Sequence, residues 1–145
     1  MKMKNLFKPL TVLLVLSFLS IAGQYACTAK NVAEKEVKRV GMVIKIHEDN
    51  IEEYKKLHAP DNPGVRDLLS KYNMHNFSIF LQKLDDGNYY EFGYYEYDGE
   101  DFEADMAKLA KEPRNIEWLK VCDPMQVPLK GHDGWAEMEQ VYYNP

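Results

Sequence analysis

The chain has 145 residues, which is one domain's worth with little left for a second. Apolar residues make up 46 % and charged residues 28 %, a balance that excludes wholesale disorder. The formal charge of -5, with no basic tract, argues against nucleic acid as a partner.

Residues 2–8 (KMKNLFK) carry three lysines, and 10–22 follow as the apolar run LTVLLVLSFLSIA. That run has the length of a signal-peptide core and falls short of the roughly 20 apolar residues of a spanning helix. Ala26 then leads into Cys27, a small residue before a cysteine, as in a bacterial lipoprotein signal. The division expected is therefore a signal peptide over 1–27 ending in a lipidated Cys27, a polar tether over 28–37, and a folded domain over 38–145. Plain secretion with cleavage near Ala29 is the alternative. Either version places the domain in the cell envelope or beyond, with the membrane met only through an N-terminal lipid. Two cysteines and no C-x-x-C spacing leave no disulfide framework and no zinc set, and Cys122 reads as a small buried hydrophobe.

From Lys38 the pattern becomes that of a folded unit. Val40, Met42, Ile44 and Ile46 alternate with Arg39, Gly41, Val43 and Lys45, which predicts a strand with one apolar face. Asp49 and Glu52 have the spacing of a capping box opening a helix over 50–59. That helix carries Ile51, Tyr54, Leu57 and His58 on one side. Pro60 and Pro63 interrupt the chain before a second helical piece over 64–72. Residues 75–84 read as a strand with Phe77, Ile79 and Leu81 on one face, and Asp85-Asp86-Gly87-Asn88 is a hairpin turn. The return strand YYEFGYYEY over 89–97 carries aromatics on both faces, with Gly93 leaving a gap. Phe102, Met106 and Leu109 have helical spacing. Pro113 opens another helix, which carries the apolar Ile116, Leu119 and Val121. A last strand is expected over 135–143.

The order β-α-β-β-α-β is that of an α+β, ferredoxin-like fold: a four-stranded antiparallel sheet with helices on one face. Aromatics on both faces of the hairpin suggest that the other face is covered by a second copy of the chain, as in a dimeric α+β barrel. Fold alone would also accommodate small oxygenases and haem-degrading enzymes, but nothing else in the sequence supports that chemistry.

Over 38–145 the chain resembles the L-rhamnose mutarotase family. The resemblance is carried by EEYKKLH at 52–58, the strand HNFSIFL from His75, Trp118 with Asp123 and Met125 behind it, and the ending EMEQVYYNP. It implies an isomerase that interconverts the α and β anomers of L-rhamnose or a related monosaccharide. The ring opens to the aldehyde and recloses on either face, with no cofactor and no metal. One group protonates the ring oxygen while another takes the proton of the anomeric hydroxyl.

In the family a histidine four residues after a tyrosine is the proton donor, and His58 and Tyr54 match that pair. The i, i+4 spacing puts both on one helical face, and an imidazole titrating near 6.5 can both give and take a proton at neutral pH. The same four residues, Ile51 to His58, equally describe the packed side of an amphipathic helix. Trp118 matches the second of two sugar-contacting tryptophans and reads either as that or as a core anchor. Glu117 stands at the first, and reads as a carboxylate for a sugar hydroxyl or for the second proton transfer, or as a solvated surface charge. Phe77 replaces a binding tyrosine, and Asn62 replaces a tryptophan, so the sugar shell departs from the family's. His47, His75 and His132 read as structural or exposed. The rival to an enzyme is a catalytically silent, lipid-anchored protein that binds a sugar or serves assembly.

Overall fold

The computed structural model describes residues 36–145. The signal segment, the tether up to residue 35 and Cys27 lie outside the described residues. β1 (Lys38–Ile46), α1 (Ile51–Leu57) and α2 (Arg66–Lys71) lead into the hairpin of β2 (Met74–Lys83) and β3 (Tyr89–Tyr97). α3 (Phe102–Leu109), α4 (Pro113–Cys122), β4 (Gln126–Val127) and β5 (Ala136–Met138) complete the chain. The sheet is antiparallel throughout and runs β2-β3-β1, with β4 and β5 both against the far edge of β1. The expected fourth strand is thus two short pieces: β4 pairs with Lys45 and Ile46, and β5 with 41–43. The architecture is the ferredoxin-like α+β arrangement.

Alternation sets the faces. Val40, Met42, Ile44 and Ile46 of β1 stand opposite Tyr95, Gly93, Glu91 and Tyr89 of β3, and this row is the inner face. All four helices add side chains to the core on that side: Ile51 and Tyr54 from α1, Leu68 from α2, Leu109 from α3 and Cys122 from α4. Gly93 is required there. A Cβ on it would sit 2.7 Å from Met42 Cε and 3.2 Å from the Trp135 ring.

The hairpin turn is built by Asp86. Its carboxylate accepts the Asn88 backbone N–H (3.0 Å), the Asn88 amide (2.8 Å) and the Tyr90 hydroxyl (2.7 Å), which holds its pKa down at about 2. Gly87 supplies the positive φ of 80°.

At four points the structure corrects what the sequence pattern suggests. The capping box does not form, because Glu48–Asn50 is a 3-10 turn running straight into α1, and no side chain caps the helix. β2 carries a bulge: His75 pairs with Glu96 but Ser78 with Tyr94, one extra residue on β2. Asn76 absorbs it at φ 52°. The parity flip sends His75 away from the apolar face, to Asp98 at 3.2 Å. Ile116, Leu119 and Val121 of α4 are exposed, and Asn115, Trp118 and Cys122 face the sheet instead. The last strand stops at Met138, and Val141 and Tyr142 beyond it are exposed.

Candidate active site

A cavity of about 1100 Å³ opens between the inner face of the sheet and the helices. That is ample for a monosaccharide with its water. Tyr54, His58, Phe77 and Trp118 all line it. α1 delivers the first two. Ile51 and Tyr54 are buried, and His58, one turn on at the C-cap, is half-buried.

The His58 ring stacks on Tyr54, with centroids 4.1 Å apart and 26° between planes. The Trp118 edge meets His58 at 5.1 Å and 73°. His58 Nδ1 lies 2.9 Å from the Tyr54 carbonyl oxygen. A carbonyl only accepts, so Nδ1 carries the hydrogen and Nε2 of the neutral ring is left with its lone pair. Burial lowers the pKa of His58; the Tyr54 carbonyl opposes this and the Arg66 charge adds to it. The imidazole therefore stands ready as a base at neutral pH.

Arg66 fixes the loop behind it. Its guanidinium donates to the carbonyls of His58 (2.8 Å), Ala59 (3.1 Å) and Asn62, the orphan acceptors past the end of α1. Asn62 takes part in this turn and is not in the cavity wall: its side chain accepts from Gly64 N–H at 3.0 Å. Gly64, at φ 50°, lets the loop lie on Trp118, where a Cβ would come within 3.1 Å of the indole. Phe77 stacks on Tyr95 at 5.4 Å and contributes an apolar wall. Glu117 does not join the site. One residue from Trp118, it is turned about a helix quarter away, is exposed and pairs with Lys120 at 2.7 Å.

Two polar residues that the sequence reading passed over complete the cavity wall. Glu91, only 2 % exposed, sits mid-strand on the inner face of β3, and Gln126 opens β4. Gln126 Nε2 donates to Glu91 Oε2 at 2.5 Å and to the Tyr54 hydroxyl at 3.2 Å. Burial pushes the Glu91 pKa up to about 7, against the hydrogen bonds from Gln126 and Tyr54. Burial, and then the Glu91 charge, raise that of Tyr54. Cys122 closes this corner, its thiol pushed up to about 11 by burial and so inert. Among the described residues no three His, Cys, Asp or Glu side chains group as metal ligands.

Residues 39–144 match the family model for L-rhamnose mutarotase. The chain belongs to the L-rhamnose mutarotase family. It is 36 % identical over 87 residues to an L-rhamnose mutarotase of Lactiplantibacillus plantarum, covering 60 % of this chain and 78 % of that protein. It is 32 % identical over 105 residues to one from Mannheimia succiniciproducens, covering 72 % and 96 %. In fold it is similar to the crystal structure of an L-rhamnose mutarotase from Formosa agariphila, with TM-score 0.55, 18 % identity and coverage of 74 % of this chain and 99 % of that one. L-rhamnose mutarotases are carbohydrate isomerases, and the family's region of this chain contains the whole cavity wall described above.

Proposed function

We propose that the protein is a mutarotase that interconverts the α and β anomers of L-rhamnose or a closely related free monosaccharide, with His58 as an acid/base group. The supporting observation is the pinned imidazole: one nitrogen is tied to the Tyr54 carbonyl, the other has no hydrogen-bond partner among the described residues, and the ring lines a cavity with room for a sugar. Trp118 and Phe77 offer flat apolar walls for the C–H side of a pyranose. His58 exchanges a proton with one of the two oxygens on C1 as the C1–O5 bond breaks and re-forms.

Exchange NMR on a panel of free aldoses, L-rhamnose first, tests the reading. Faster α/β exchange with the protein, lost in His58→Ala, is the expected result. Saturation transfer to a sugar without faster exchange would favour the silent binding protein instead.

The partner we propose is a second copy of the chain. Phe80, Phe92, Val43 and Ala136 line up across the outer face of the sheet, and Phe80 is 65 % exposed there. Among the described residues the helices pack on the opposite face. For location we propose the cell envelope, through a lipid on Cys27. Metabolic labelling with a fatty acid should mark the full chain and fail in Cys27→Ser.

A further inference from the structure

We propose that Glu91 is the second proton-transfer group of the mutarotation, serving the sugar oxygen that His58 does not. The inference rests on the mutarotase reading above and adds the partner that such a reaction needs.

The geometry is unusual for a structural residue. A carboxyl sits mid-strand on the core face of the sheet, opposite Ile44, with no lysine or arginine among the described residues bonded to it. Buried carboxylates in that setting are ordinarily paired with a cation, because desolvating an unpaired charge is costly. Here the partners are an amide and a phenol. Gln126 holds Oε2, and its second contact, to the Tyr54 hydroxyl, ties the same amide to the helix that carries His58. Among the described residues the hydrogen bond fixed to a named carboxyl oxygen is that of Gln126 on Oε2, and Glu91 belongs to the cavity wall. The carboxyl is thus oriented by an amide rather than neutralised by a cation, in the wall of the cavity, which is the disposition of a carboxyl that works on a ligand.

The titratable groups around it come from several elements. Tyr54 on α1 and Cys122 on α4 pack against it, and His58 and Asp123 share the cavity. Lys55 and Arg66 also line that cavity, and the Arg66 guanidinium is taken up by loop carbonyls. Burial drives the carboxyl and the imidazole toward their neutral forms together. In the reactive state of the pair the transferable proton is on Glu91 and His58 Nε2 is free to accept. On ring opening Glu91 gives that proton to O5 as the C1–O5 bond breaks, and His58 Nε2 takes the O1 proton as the C1–O1 carbonyl forms. After rotation about C1–C2 both transfers reverse: O5–H returns its proton to Glu91 while O5 attacks C1, and the imidazolium reprotonates O1. Nothing is oxidised or reduced.

The test is exchange NMR with L-rhamnose across about pH 5 to 9 on the parent and on Glu91→Gln, which keeps the shape of the side chain. The parent should show a bell-shaped rate with two limbs of opposite sense. Glu91→Gln should lose roughly 10²-fold or more of the rate, lose one limb, and still bind the sugar. A variant that exchanges anomers at the parent rate with both limbs intact overturns the assignment of Glu91 while leaving the mutarotase reading in place. A parent protein that accelerates no aldose in the panel overturns both. Should the variant fail to fold, the parent profile decides: a single ionisation across that range overturns the proposal, and two limbs support it.

Discussion

The imidazole of His58 stacks on the ring of Tyr54 four residues earlier and donates from Nδ1 to the Tyr54 carbonyl, so the turn that closes α1 sets the tautomer and orients the ring. Because the restraint comes from the backbone, replacing His58 should leave the fold in place. His58→Ala is expected to lower the rate of anomer exchange by roughly 10²- to 10⁴-fold, the usual span for a lost acid/base group. Circular dichroism and the melting temperature, measured alongside, should stay close to the parent's.

The buried carboxyl makes a prediction about stability that is independent of catalysis. The Glu91 pKa rises from 4.5 to about 7 on folding, so the folded state holds its proton more tightly. Its contribution to stability is fully present below 4.5 and is lost as pH rises through about 7. At about 1.4 kcal/mol per unit, the change is on the order of 3–4 kcal/mol. His58 works in the opposite direction, since its lowered pKa costs stability as pH falls below 6.5. Urea midpoints of parent and Glu91→Gln, compared between about pH 5 and pH 8, cancel the histidine, which both proteins carry. The parent's advantage over the variant should shrink as pH rises.

The pair of Tyr54 and His58 could be read from sequence because both lie on one short helix, where spacing fixes the face. Glu91 could not be read that way. In YYEFGYYEY each face carries aromatics, so the strand does not announce which side turns inward. The signal lies in the β1–β3 register, which sets Glu91 opposite Ile44 in the apolar row of β1. Gln126 belongs to a two-residue strand with no period to detect. The buried face of α4 is hidden for a related reason. Asn115, Trp118 and Cys122 share a helical stripe as well as Ile116 and Leu119 do, and a polar residue in the stripe hides it.

Gly93 is where sheet packing meets the cavity. Gly93→Ala must displace Met42, whose terminal carbon would be 2.7 Å from the new methyl, and crowd Trp135. Overpacking of this kind costs about 1–3 kcal/mol. Met42 and Trp135 both line the cavity, so KM for the sugar should rise along with the loss in melting temperature.

On the outer face of the sheet, Phe80→Asp places a charge in the row with Phe92 and Val43. Sedimentation should then show single chains where the parent shows pairs. An unchanged sedimenting mass would mean that this face is not where two copies meet.

The clamp that Arg66 forms on the loop after α1 ties two properties together. The same cation that closes the open end of the helix also lowers the proton affinity of the ring beside it. Fraying of the loop would draw that cation away from His58 and make the ring more basic. Local order and proton affinity at this corner are therefore not separately adjustable: a change that slackens the backbone also resets the acidity of the ring.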